Sequence, residues 1–177
     1  MNGERAIVRG AIDGCLSVLG IVIGAYGVDP ALLLSAALAG NLANGMSNVL
    51  AAFSAESAQQ MARLRALERA MLTDLRGTEP AHVARLTALL GAATDGLATI
   101  VGGLVPVWPF LTFTGLTAVG VSIGVSLLVM LALGAWAGRF SHEGIVLAAV
   151  KLAVLSVLTV LASFGIHYLI APEVPFS

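Results

Sequence analysis

The sequence predicts an all-α, polytopic membrane protein: five transmembrane helices with a helical cytoplasmic insert between the second and third. Three observations carry that prediction. Hydrophobic residues make up 58% of the 177, while charged residues make up only 11%, against about 25% in an ordinary soluble domain. The mean hydropathy is +0.96. The apolar residues also gather into stretches long enough to cross a bilayer, which takes about 20 residues as a helix.

Five such stretches are expected, at Ala6–Val28, Pro30–Ser54, Leu86–Phe110, Leu116–Ala137 and Gly144–Ile170. The first is read as a retained span and not a cleaved signal. Asp13 interrupts its apolar core, and the run to Tyr26 exceeds the usual 7–15 residues of a signal sequence. Pro30 suits the first turn of the second helix, where its missing N–H costs nothing. In the third, "VPVWPF" at 105–110 supplies two prolines to stop the helix and a tryptophan suited to the interface. The chain therefore divides into spans one and two (1–54), a cytoplasmic segment (55–85) and spans three to five (86–177).

The segment 55–85 is the only long polar stretch. Met61, Leu64, Leu67, Met71 and Leu75 recur at three- and four-residue steps, making one apolar stripe on a helix. Span two is therefore expected to continue out of the membrane as one long amphipathic helix. Gly77 is the expected stop, and Thr78 the cap of the next helix, with Pro80 in its first turn.

Basic residues orient the chain, because cytoplasmic loops carry the excess of Lys and Arg. Arg5, Arg9, Arg63, Arg65, Arg69, Arg76, Arg85 and Arg139 all fall in the N-terminus, the 55–85 segment, or the connection between spans four and five. With five spans these regions share one side, so the N-terminus is expected in the cytoplasm and the C-terminus opposite. The net charge of −1 gives no electrostatic footprint for nucleic acid. Cys15, the single cysteine, leaves the redox compartment open.

Two acids and one base interrupt the apolar spans. Aligning Asp13 with Asp95 gives D-G-x-x-[ST]-[VI]-[LV]-G, a candidate parallel repeat of a two-helix unit of the kind transporters carry. Asp13, Asp95 and Lys151 each lie about 10–14 Å inside their helices at 1.5 Å per residue, so the three share one layer. A charge inside a bilayer costs several kcal/mol unless paired or hydrated. The expectation is a cluster of Asp13, Asp95 and Lys151. Two carboxylates on one ammonium leave a negative charge for a proton or a cation. The plainer alternative is a structural ion pair, or a lysine snorkelling to the surface.

Span two adds a polar face. Asn41, Asn44 and Asn48 occur at i, i+3 and i+7, and the line runs on to Glu56. Their oxygens suit hard divalent cations; Met46 and Cys15 would add soft character. Interhelical hydrogen bonding is the alternative. Ser17, one turn beyond Asp13, is counted with the same pathway. His82, His142 and His167 show no ligand spacing. Small residues at four-residue spacing, such as Gly10/Gly14, Gly120/Gly124 and Gly134/Gly138, allow close helix approach and suit an oligomer. No enzyme is expected. The "DG" segments lack the Ala-Arg that follows in phosphatidyl-transferring enzymes, neither aspartate follows Gly-x-Gly, and no Ser/His pair sits convincingly in the membrane.

Three stretches resemble the vacuolar iron transporter family. "RGAIDGCLSVLGIVIGA" is similar to its first span, and Asp13 matches the family aspartate. "LANGMSNVLAAFSAESAQ" resembles its second span, with Asn44 and Glu56 at the family positions, and "GGLVPVWPFL" looks like the Gly-x-x-x-Pro close of its third. The chain departs from the family in places. Ala52 stands where the pore methionine falls, Ser57 replaces a tyrosine, and the short insert offers only Glu56, Glu68, Asp74 and Glu79 as acids. It reads as a reduced or divergent member.

The resemblance implies a homodimer in the bilayer, with the first spans lining the pathway at the dimer interface. It further implies export of Fe²⁺ or Mn²⁺ from the cytoplasm in exchange for protons. The metal is cargo, and no resident cofactor is expected. Asp13 would take metal and proton alternately, Asp95 and Lys151 would tune it, Glu56 would receive the ion, and Met46 would stand in as the soft ligand. A non-transporting membrane scaffold is the alternative reading.

Overall fold

The computed structural model describes residues 2–72, 78–140 and 144–170. Among them there is no strand; the chain forms α1 (Asn2–Gly24), α2 (Pro30–Met71), α3 (Glu79–Val107), α4 (Pro109–Thr112), α5 (Gly115–Gly138) and α6 (Ile145–Ile170). Gly3–Gly24, His82–Val107, Gly115–Gly138 and Ile145–Ile170 are long and apolar enough to cross a membrane. The polytopic membrane character read from composition therefore stands, with four candidate spans. The second expected span, Pro30–Ser54, is not among the four. It forms a helix, but Ser35, Asn41, Asn44, Ser47 and Asn48 dilute its apolar content.

Local chemistry sets the helix ends. Asp29 caps α2 by accepting hydrogen bonds from the backbone N–H of Ala31 and Leu32, at 3.0 and 3.1 Å, and Pro30 takes the first turn. α2 then runs 42 residues without a break, roughly 63 Å, so the expected continuation of span two is one helix with no boundary at residue 54. It ends where Leu72 adopts a left-handed conformation, φ 52°. Gly77, the expected stop, lies outside the described residues, as does Leu75. Of the apolar stripe, Leu64 is buried, while Met61, Leu67 and Met71 are exposed. Thr78 precedes α3 as expected, although its side chain makes no capping hydrogen bond. Pro106 lies inside α3 and does not stop it; the helix ends one residue later. Ser122 of α5 donates to the Pro106 carbonyl at 2.8 Å.

Glycine contacts give the helix directions. Gly10 packs on the backbone at Asp95 and Thr99, and Gly14 on the backbone at Thr99 and Gly103. Both numbers rise together, so α1 and α3 are parallel. Along α2 the numbers run oppositely: Asn41 meets Gly103, Gly45 meets Gly96 and Ile100, and Glu56 meets Gly91. α2 is thus antiparallel to α3. Gly134 and Gly138 pack on Ala149 and Ile145, making α5 and α6 antiparallel. Gly20 against Ser163 and the Gly24 carbonyl against His167 make α6 parallel to α1. α1, α3 and α6 therefore point one way, as the depth argument required.

α1 sits in the middle, packed by α2, α3, α5 and α6. The core lies in its second half: Val18, Leu19, Val22 and Ile23 close against Leu33, Ala37 and Val107. The first half of α1 carries the polar residues.

Candidate functional site

The polar site forms where α1, α2 and α3 approach most closely. Gly10 and Gly14 remove side-chain bulk on α1, so the α3 backbone passes directly beneath Arg9 and Asp13. Gly45 and Gly96 do the same between α2 and α3. The two Asp-Gly segments lie side by side on parallel helices, with Gly10 level with Asp95 and Gly14 level with Thr99.

Asp13 Oδ2 accepts two amide hydrogen bonds, from Asn44 Nδ2 at 2.8 Å and from Asn48 Nδ2 at 2.7 Å. Asn44 also reaches Ser17 Oγ at 3.2 Å, and Asn48 donates to Thr99 Oγ1 at 2.9 Å. Thr99 donates in turn to the Asp95 carbonyl at 2.9 Å. Asp95 itself is buried and forms a salt bridge, Arg9 Nε to Asp95 Oδ1 at 3.0 Å. A chain of polar contacts thus joins three helices inside an otherwise apolar bundle. Each partner offsets part of the cost of burying the others. Deeper along α2, Asn41 is only 2% exposed. Its amide donates to the Ile100 carbonyl at 2.8 Å, while its Oδ1, which occupies the space above Gly103, has no hydrogen-bond partner.

Arg9, Asp13, Asn48, Ala51, Ala52, Ala55 and Asp95 line a cavity of about 360 Å³. Ala51 and Ala55 are exposed and Glu56 is half-buried one turn past Ala52. The cavity therefore opens toward the N-terminal end of α1 and the Glu56 level of α2. Its other direction is closed by the apolar core. Its oxygen donors are the two carboxylates and, on rotation, the Asn48 amide, backed through hydrogen bonds by Asn44, Ser17 and Thr99. That is an all-oxygen set, suited to a hard or borderline divalent cation. Among the described residues, no three of His, Cys, Asp and Glu come together as a metal cluster.

The structure thus brings Asp13, Asp95, Asn44, Asn48 and Ser17 together, with Asn41 and Glu56 extending the same line. Lys151 and Met46 lie elsewhere. Lys151 is exposed on α6, a helix that packs on α5 and α1, and the basic partner of Asp95 is Arg9. Depth pointed to Lys151; the glycine-mediated contact of α1 with α3 brings Arg9 to the acid instead. Met46 is 65% exposed, because it sits between Asn44 and Asn48 in sequence and so turns to the opposite face of α2. Cys15 is fully buried among core residues. His142 is outside the described residues.

Two members of the site escaped the sequence reading. Arg9 was counted only toward orientation, yet it stands four residues before Asp13 on the same helix face. Thr99 stands four residues after Asp95. The i, i+4 spacing was the available signal for both.

A family model described as the VIT family matches residues 54–168, more than half of the chain. The chain belongs to the VIT family. This VIT-family chain is 37% identical over 155 residues to an uncharacterised protein of Methanocaldococcus jannaschii, covering 85% of this chain and 81% of that protein. It is also similar to vacuolar iron transporter 1 of Oryza sativa, at 35% identity over 79 residues, 44% of this chain and 31% of the rice protein. Together with its apolar helices, family membership makes it an integral, multi-pass membrane protein.

Proposed function

We propose that this protein carries a divalent metal cation, Fe²⁺ or Mn²⁺, out of the cytoplasm in exchange for protons, through the cavity between α1, α2 and α3. One observation carries the reading. Two intramembrane carboxylates, Asp13 and Asp95, line a single cavity together with the Asn48 amide, whose oxygen becomes available on rotation, and the Arg9 guanidinium. Ionisable residues inside a membrane mark ion pathways by default. Metal transport at the level of the family, and the likeness to a rice vacuolar iron transporter, support the same reading and favour a transporter over an enzyme.

In this reading α2 is the fifth span. α1 and α3 are parallel neighbours, so the connection between them must return across the membrane, and α2 is that connection. Its asparagines turn toward α1 and α3 instead of lipid. The ends of α2 and α3 then form the cytoplasmic segment, and the N-terminus is cytoplasmic. The cavity is built by one chain. The homodimer expected from the resemblance places two such cavities in one assembly.

Asp13 is the exchange group. Holding metal, it is a ligand; without metal, its proton removes the charge. Glu56, half-buried beside Gly91, receives the ion at the cytoplasmic mouth. Proteoliposomes loaded with a metal-sensitive dye test this. Uptake of Mn²⁺ and Fe²⁺ driven by a proton gradient is expected, with loss of at least tenfold in Asp13→Asn. Unchanged flux in both Asp13→Asn and Asp95→Asn would remove these acids from the mechanism, and absence of flux in the parent protein would leave the scaffold reading in its place.

A further inference from the structure

The proposed exchange leaves one residue unexplained. Arg9 brings a fixed positive charge to a cavity that, on the reading above, has to accept a divalent cation. We propose that Arg9 is a tethered counter-ion that competes with the metal for Asp95: it holds the acid while the site is empty and swings away as the cation enters. This inference rests on the transport reading and adds a specificity-determining residue to it.

Burial and charge balance carry the argument. The Asp95 side chain is 5% exposed, that of Arg9 60%. A carboxylate so buried is strongly disfavoured without a positive partner, so removing the metal from Asp95 requires a replacement. Arg9 is within hydrogen-bond distance of the acid at 3.0 Å, and its long side chain reaches from an exposed face of α1. It is the member of the pair that is free to move, because a guanidinium leaving Asp95 passes into the cavity mouth instead of into the apolar core. Charge balance sets the direction of the effect. With Arg9 in place and both aspartates ionised the cavity carries −1, and a divalent cation would take it to +1. With Arg9 withdrawn, Asp13, Asp95 and the cation sum to zero. Metal and guanidinium are therefore alternatives at Asp95.

In this proposal Arg9 also sets which ions occupy the cavity. A monovalent cation gains too little from Asp95 to displace a bound guanidinium, which is itself a monovalent cation already desolvated and in place. A divalent cation, drawn by both carboxylates, gains enough. Removing Arg9 is then expected to tighten metal binding and to weaken discrimination between divalent and monovalent ions.

Equilibrium binding of Mn²⁺ to the full-length protein in detergent, read by loss of the free-ion paramagnetic resonance signal, tests the proposal. Arg9→Gln is expected to bind Mn²⁺ at least tenfold more tightly than the parent, and Asp95→Asn is expected to erase that gain in the double variant. In R9C, binding is expected to be tight before and weak after modification with an aminoethyl thiosulfonate, which restores a tethered cation within one folded protein. Cys15 is fully buried and stays out of that reaction. Affinity in Arg9→Gln equal to or below the parent, insensitivity of R9C to the added charge, or a gain that survives Asp95→Asn would each overturn the proposal. Those outcomes are separable from failure of the transport reading, which shows instead as Mn²⁺ binding indifferent to Asp13→Asn.

Discussion

Replacing Gly14 with alanine puts the architecture of the site to a direct test. On helix propensity alone the change should stabilise, by about 1 kcal/mol in a helix interior. The tertiary structure reverses the sign. A methyl carbon at Gly14 would lie 2.7 Å from the Thr99 carbonyl carbon and 2.9 Å from the Gly103 nitrogen, and would overlap the Thr99 carbonyl oxygen. Favourable contacts between carbon atoms begin near 3.5 Å, and the overlapped oxygen needs still more room than the carbon, so α1 and α3 must part by about 1 Å or more. All three obstacles are backbone atoms, so no side-chain rotation relieves them. Overpacking of this kind costs about 1–3 kcal/mol. The same separation stretches the Arg9–Asp95 bridge from 3.0 Å, and a charge-assisted hydrogen bond is worth about 1.5–3 kcal/mol. The losses exceed the propensity gain, and a net destabilisation of about 2 kcal/mol or more is expected. Thermal unfolding in detergent, followed by emission of Trp108 and Trp136, reads it out. Gly120→Ala is the internal control: none of the described residues lies within 4 Å of a methyl there, so that variant should be unchanged or up to about 1 kcal/mol more stable. A Gly14→Ala protein as stable as the parent would refute the close α1–α3 contact on which the site depends. A loss at Gly120→Ala would instead mark that face of α5 as covered by a second copy.

Two further outcomes follow from the hydrogen bonds. Asp29→Ala removes the acceptor for the first N–H groups of α2 and should cost about 1 kcal/mol, seen as a small fall in midpoint temperature with metal binding unaltered. Asn48→Ala strips a donor from Asp13 and from Thr99 together; Mn²⁺ affinity should fall while Asn48→Asp, which adds a carboxylate to the cavity wall, should raise it, and an equal loss in both would show that Asn48 serves packing alone.

Much of the molecule was legible before its coordinates. Apolar stretches located α1, α3, α5 and α6, because a helix that must satisfy its own backbone in lipid announces itself by length and composition. The uninterrupted run of α2 was legible too, from the apolar stripe beyond Ser54. Its place as a span was not settled by composition, since its asparagines are spent on neighbouring helices and read as polarity.

At the site, sequence identified Asp13, Asp95 and the Asn41, Asn44 and Asn48 face, because each is out of place in an apolar helix and period 3.6 puts the asparagines together. Position along each helix was legible as well, since it is only a count of residues. Which cation meets Asp95 was a different kind of question. Depth along the helices pointed to Lys151, while Arg9, nearer the end of its helix, read as part of the N-terminus. The choice lies in the glycines that let α1 settle onto α3 while α6 packs against α5 and α1. Composition and periodicity thus marked which charges are out of place in apolar helices and where they stand along each helix. Only tertiary packing decided which charges touch, because lateral contact between helices depends on side-chain volume at the crossing, and that is a property of two segments taken together.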